Sequence, residues 1–315
     1  FKSFEEFREA FEKQFSWMAE KAIELNEYFG SVHQEVIPTP LLSAFFEGPM
    51  EQGKDLIFGG ALYNSSGATH IGFADTVDSL NAIEESIFLF NKYTFAEIIM
   101  TLKSDFKDNE QMRQYLLNKT SKYGTENPIA IKNSQNLVRF LYEFYQRHIN
   151  YRGGRYRPAY WSMTNHSGQG AVSGALPSGR KSCQTFASGI TPCSGAAGDI
   201  TAALNAIGVL GARYIPGGEA LNLKFTSIEN VEDIDKLGSY VESYFRAGGL
   251  HAQFNIMSYE RLKDAKMHPE MYRDLTVRVS GYSAYFNDLN EKMKDEIITR
   301  TEYDLRSGKA IPFLK

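Results

Sequence analysis

The sequence predicts an α/β fold, and three observations carry that prediction. In the second half of the chain three segments alternate apolar and polar residues with period two: Leu221 to Phe225, Leu250 to Ile256 and Leu275 to Ser280. Helical stretches separate them, at 231–247, 258–267 and 288–302. The first half repeats its apolar residues at helical spacing instead. Strands alternating with helices favour a largely α/β arrangement. Each strand has one polar face, which must line something wet or reactive if both sides of the sheet are covered.

Taken in order, the first thirty residues read as one helix. Ser3 and Glu6 make a capping box, Phe4, Phe7, Phe11, Phe15, Met18 and Ala22 form an apolar stripe expected to pack in a core, and Gly30 is a candidate C-cap. A loop follows around Pro38, Pro40, Gly48 and Pro49 and holds Phe45, Phe46 and Glu47. A helix is expected from Asp75 to Phe90, with Val77, Leu80, Ile83 and Ile87 on one face. Another starts at Thr94, capped against Glu97. Residues 116–127 read as a surface connection and 134–148 as helix. After Tyr151 a short strand leads through Tyr160 and Trp161 into a polar loop with Asn165 and His166. Residues 167–198 are rich in Gly, Ser and Ala, yet Phe186, Ile190 and two prolines interrupt them, so this segment is expected to be ordered and irregular. The change of texture suggests a helical part, 1–150, and a second part, 151–315.

The bulk properties exclude several classes. The chain has 315 residues, 43% hydrophobic and 23% charged, with a net charge of -4. That balance argues against a basic nucleic-acid surface. No apolar run approaches the ~20 residues of a membrane helix, and the first residues lack a signal-peptide pattern. A cytoplasmic protein is expected. Two cysteines, Cys183 and Cys193, stand ten apart without a Cys-x-x-Cys pair, and no metal site is expected. The chain starts inside a helix without an initiator Met and reads as a piece of something longer.

One motif carries chemistry. In Arg278-Val279-Ser280-Gly281-Tyr282-Ser283-Ala284-Tyr285-Phe286 a strand ends at Val279 and Gly281 occupies a sharp turn ahead of a helix. An isolated glycine there would supply a positive φ and nothing more. The whole motif, close to the C-terminal end, resembles the radical loop of the pyruvate formate-lyase, or glycyl radical enzyme, family. The resemblance extends through Gly248-Gly249-Leu250-His251-Ala252-Gln253-Phe254-Asn255, His268-Pro269-Glu270-Met271-Tyr272-Arg273-Asp274-Leu275 and Asp295-Glu296-Ile297-Ile298-Thr299-Arg300-Thr301-Glu302. Upstream it includes Ala74 to Leu80, Arg152 to Pro158, Gly174 to Lys181 and Ala220 to Phe225, in the family's order.

The resemblance implies a ten-stranded α/β barrel with surrounding helices, of which this chain supplies the C-terminal portion. It implies that Gly281 stores a glycyl radical, installed by a radical S-adenosylmethionine activating enzyme under anaerobic conditions. The radical then passes to a cysteine, whose thiyl removes hydrogen from substrate in a lyase reaction of the dehydratase or decarboxylase type. Glycine suits this role because a planar α-carbon radical conjugates with both flanking amides, and a Cβ would oppose that planarity. The family's Gly-Cys-x-Glu loop does not occur here, so the thiyl cysteine is expected outside this chain, in the remaining N-terminal part of the enzyme. A homodimer is expected. A non-catalytic partner, or spare-part subunit supplying a radical loop, is the alternative.

Other site residues are expected on the same basis. Phe45, Phe46 and Glu47 lie where some family members approach substrate, although Glu47 reads equally as a helix N-terminal acid. Tyr160 and Trp161 either wall a cavity or pack in a core. His166 is either a hydrogen-bonded structural histidine or a base. Arg278 and Tyr282 are assigned to support of the radical loop, with simple surface exposure as the alternative for Arg278. The segment Ile190 to Asp199 departs from the dehydratase pattern, which weakens diol dehydration as the specific reaction.

Overall fold

The computed structural model describes residues 1–312. It holds an α/β fold in two compact units. The first comprises Phe1–Ala68 and Arg139–Ala159, and the second Thr69–Val138 with the chain from Tyr160 onward.

Helix α1, Phe4–Val36, dominates the first unit. The Ser3 hydroxyl caps it, accepting from the Glu6 amide at 3.1 Å. The expected apolar stripe is only partly buried. Phe4 is buried, and Phe15 packs edge-on against Phe140 and Phe144, whereas Met18 is 66% exposed. Gly30 is not a cap, since the helix runs on for six residues. The reason for glycine is space: a Cβ there would stand 2.3 Å from the Tyr151 ring. Two single-turn helices follow, α2 (Pro40–Ser43) and α3 (Pro49–Gln52), then strand β1 (Ser66–Thr69). Helix α7, Pro128–Gln146, ends in this unit, and β1 pairs with β2, Tyr156–Ala159.

In the second unit α4, Phe73–Ile83, continues as a π-helical turn through Leu89. Its expected apolar face is present, but Asp75, Asp78 and Asn81 on other faces are buried too. Helix α5 (Phe95–Lys103) starts at the expected Thr94–Glu97 capping box, and α6 (Glu110–Asn118) is capped by Asn109. The stretch 116–127, expected on the surface, is anchored inside by Leu116 and Tyr123, both nearly inaccessible. The Tyr123 amide donates to Asp78 at 2.7 Å. Asn165 and His166, expected in a polar loop, instead start the short helix α8 (Asn165–Ala171), which also takes in the first residues of the segment expected to be irregular; from there to α9 (Ile200–Gly208) the chain is ordered and irregular.

Strands β3 (Leu221–Phe225), β4 (Ala252–Ile256) and β7 (Glu302–Tyr303) form a parallel sheet in the order β4-β3-β7. The crossover between β3 and β4 is α10, Val231–Ala247. All five residues of β3 are buried, as expected for a parallel strand covered on both faces. Its polar residues therefore need partners. Lys224 lies 3.1 Å from Glu302 and donates to the Ile298 carbonyl. After α11 (Tyr259–Met267), β5 (Thr276–Arg278) and β6 (Ser283–Tyr285) pair as an antiparallel hairpin. Helix α12, Glu291–Thr299, follows. The strand-to-helix turn expected at Gly281 is thus the tip of a hairpin. Val277, Val279 and Phe286 seat the hairpin on a core with Leu262 of α11 and Met293 and Ile297 of α12.

Candidate functional site: the glycine hairpin

The hairpin register pairs Thr276 with Tyr285, Val277 with Ala284 and Arg278 with Ser283. The Val279 amide donates to the Tyr282 carbonyl at 2.9 Å, which leaves Ser280 and Gly281 as the two loop residues. Gly281 has φ +89°, a backbone conformation that L side chains rarely adopt. Ser280 beside it is fully buried, whereas Gly281 is exposed, with no atom within 4 Å of where a Cβ would stand. Backbone conformation therefore demands glycine here, and the surrounding space does not.

Two sets of polar side chains hold this tip. One comes from the sheet. The Asn255 amide takes the place of a strand neighbour: its Oδ1 accepts from the Arg278 N–H at 2.8 Å and its Nδ2 donates to the Arg278 carbonyl at 2.9 Å. Gln253 Oε1 accepts twice, from Arg278 Nε at 2.6 Å and from the Gly281 N–H at 3.2 Å. Behind Gln253, its Nε2 donates to Asn222 Oδ1, and Asn222 Nδ2 donates to the hydroxyls of Ser188 and Thr191. These are the polar faces of β3 and β4.

The second set closes a ring on the other side. Arg300 donates to the Arg278 carbonyl at 3.1 Å and to the Val279 carbonyl at 2.7 Å, and pairs with Glu296 at 2.8 Å. The Glu296 carboxylate lies 3.5 Å from His166 Nε2. His166 Nδ1 meets the Ser162 hydroxyl at 2.9 Å, and that hydroxyl lies 3.3 Å from Ser280 Oγ. Burial alone would raise the Glu296 carboxyl, but the Arg300 charge and then His166 override it and carry its pKa down to about 2. This ion pair is almost wholly buried, a placement that is costly unless every lone pair finds a donor.

The structure places the expected residues as follows. Arg278 is half-buried and bonded to Gln253 and, through Nη1, to Ser283 at 3.2 Å. Tyr282 packs against the core under the hairpin. His166 is fully buried within the ring. Tyr160 is fully buried, edge-on to Phe73 with ring centres 4.9 Å apart. In the first unit Phe45 is 79% exposed and Phe46 47%, and Glu47 is exposed as well. The acid that caps α3 is Glu51, which accepts from the Gly48 amide, and not Glu47. Cys183 is exposed. Burial and the nearby carboxylates of Asp75 and Asp78 push the Cys193 thiol well up, so it stays protonated. Sequence reasoning missed Gln253, Asn255, Glu296 and Arg300 as loop partners. The alternating polar residues of β3 and β4 were the available signal for the first two. For Glu296 and Arg300 the available signal was their i,i+4 spacing, which does not by itself distinguish a buried pair from an exposed helix-surface pair.

Residues 1–170 match the family described as "Pyruvate formate lyase-like", and residues 186–287 match "Glycine radical". A (2S)-3-sulfopropanediol dehydratase from Klebsiella oxytoca is 33% identical over 316 residues, which cover 96% of this chain and 38% of that protein. An indoleacetate decarboxylase from Tractidigestivibacter scatoligenes is 30% identical over 304 residues, 86% of this chain and 34% of that one. Among solved structures, the glycerol-bound B12-independent glycerol dehydratase from Clostridium butyricum superposes with a TM-score of 0.92 at 34% identity, over 96% of this chain and 39% of that chain. The chain spans about two fifths of the length of such relatives.

Proposed function

Because the chain belongs to the pyruvate formate-lyase-like glycyl radical enzymes, we propose that Gly281 is the residue that carries the radical and that the chain is the C-terminal portion of a lyase. The observation that carries this reading is the tip itself: an exposed glycine α-carbon, φ +89°, on a loop whose flanking amides are held by buried side chains. An activating enzyme of the radical S-adenosylmethionine type removes one hydrogen atom from the Gly281 α-carbon. The radical then takes a hydrogen atom from a cysteine thiol, restoring Gly281 and leaving a thiyl radical. That cysteine lies outside this chain, because the Gly-Cys-x-Glu loop is not in it.

Arg278 and Tyr282 support the loop, the first through Gln253 and Ser283 and the second through packing. Phe45, Phe46 and Glu47 are exposed and available to substrate or to the N-terminal part of the enzyme. Tyr160 shapes the site from within an aromatic cluster with Phe73 and His70. Dehydration is the favoured reaction, since the relatives named above include dehydratases at 33–34% identity, with decarboxylation the second class. Among the described residues no helix is long and apolar enough to cross a membrane, and a cytoplasmic, dimeric enzyme is the reading we adopt.

The span of two fifths also fits a partner subunit that supplies a radical loop. A Gly-Cys-x-Glu loop in the same open reading frame eliminates that alternative. The radical assignment is tested by anaerobic activation of the full-length protein with S-adenosylmethionine and the activating enzyme. Brief exposure to air should then cut the chain at Gly281. An activated protein that survives air intact would count against Gly281.

A further inference from the structure

We infer that Gln253 is the positioning residue for the Gly281 amide plane, and so for the orbital in which the spin resides. The inference rests on the radical assignment above. Its structural half stands independently.

The orientation of the Gln253 side chain follows from its surroundings. Asn222 Nδ2 faces two hydroxyls, Ser188 Oγ at 2.9 Å and Thr191 Oγ1 at 3.2 Å. Thr191 Oγ1 is itself accepting from the Asn222 N–H at 2.9 Å. Those hydroxyls can donate or accept, so the direction is set from the hairpin side: Gln253 presents Oε1 there and gives Nε2, its only donor group, to Asn222 Oδ1. Gln253 Oε1 is then committed to the hairpin. There it meets two donors and no competing acceptor: Arg278 Nε at 2.6 Å and the Gly281 N–H at 3.2 Å. Gln253 is 5% exposed, so water does not compete freely for this oxygen.

The consequence is specific to a glycyl radical. An α-carbon radical is stabilised in proportion to its overlap with the adjacent amide nitrogen and carbonyl. The peptide between Ser280 and Gly281 has its N–H fixed by Gln253, while Arg300 fixes the two preceding carbonyls. Gly281 is otherwise exposed and its Cβ position open. Gln253 is thus the only side chain bonded to the Gly281 N–H among the described residues.

The test uses the full-length protein with Gln253→Met, which keeps length and removes the acceptor, and Gln253→Glu, which restores it. The glutamate is accommodated because Asn222 can turn its oxygen to the Ser188 and Thr191 hydroxyls, which donate as readily as they accept. Two readouts are taken. Amide hydrogen exchange at Gly281, without activation, should quicken about five-fold in the Met variant, the factor expected for one hydrogen bond, and return towards the parent rate in the Glu variant. After activation, the α-hydrogen splitting should broaden and the lifetime of the spin should shorten about five-fold in the Met variant, with recovery in the Glu variant. A Met variant that matches the parent in exchange, line shape and lifetime overturns the inference. So does a Glu variant as impaired as Met, which would assign the effect to packing. If the parent itself yields no spin, the radical assignment fails, and the exchange measurement still decides the hydrogen bond.

Discussion

Among single residues, the Glu296–Arg300 pair holds the hairpin through the Arg278 and Val279 carbonyls. Arg300→Met removes both donors to the Arg278 and Val279 carbonyls and leaves a buried carboxylate uncompensated. The expected loss is about 3–5 kcal/mol in denaturant unfolding, with faster amide exchange across residues 276–285. A loss under about 1 kcal/mol would mean that the pair is solvated and idle. The pH dependence follows in sign. The folded-state pKa of Glu296, about 2, lies below its ordinary 4.5. Its stabilising contribution is complete above 4.5 and disappears as the pH falls towards 2. Asp78 behaves in the opposite way. Burial, opposed by Lys122, raises it from 3.8 to about 6, so the fold is penalised as pH rises through 6 and the carboxylate ionises. Asp78→Asn keeps an acceptor for the Tyr123 amide and removes the charge. It should raise stability above pH 6 by on the order of 2 kcal/mol and flatten the profile between pH 4 and 6. An unchanged profile would place the titration elsewhere.

Elements were legible to different degrees, for physical reasons. The periodic signals in Leu221–Phe225, 250–256 and 231–247 correspond to β3, to β4 with two extra residues at its start, and to α10. Their polar positions also announced a lined interior, which proves to be the set of hairpin partners. Turns were harder. Ser280-Gly281 carries no local mark distinguishing a strand-to-helix turn from a hairpin tip, because the deciding contact, Val279 to Tyr282, competes with the start of a helix over only four residues. Likewise 116–127 reads as polar, and its burial comes from Asp78, a partner far off in sequence. Gly30 shows the same limit in α1. Local chemistry suggests a cap, whereas the tertiary neighbour Tyr151 is what requires glycine. Gly30→Ala should therefore lower the melting temperature, despite the ~1 kcal/mol that helix propensity alone would gain. A higher melting temperature would show that the Tyr151 ring moves aside at no cost.

For the whole molecule, family membership was legible because the motif residues lie in one order along almost the whole chain, and the matches at 1–170 and 186–287 agree. A thiyl cysteine was not legible, because the family's Gly-Cys-x-Glu loop does not occur in these 315 residues. Exposed apolar residues such as Leu41, Phe45 and Tyr63 in the first unit, at 77–79% exposure, are apolar surface open to water. On that basis residues 1–315 expressed alone should aggregate at concentrations where the full-length protein stays soluble, as sedimentation of the two would show.

Electron paramagnetic resonance of the activated full-length protein reports on whether Gly281 carries the spin. The spectrum should show an organic radical doublet from one α-hydrogen, absent in Gly281→Ala and collapsed to a single line when glycine is labelled with deuterium at the α-carbon. A protein that shows no doublet under these conditions, or an equal signal in Gly281→Ala, would contradict the radical assignment to Gly281.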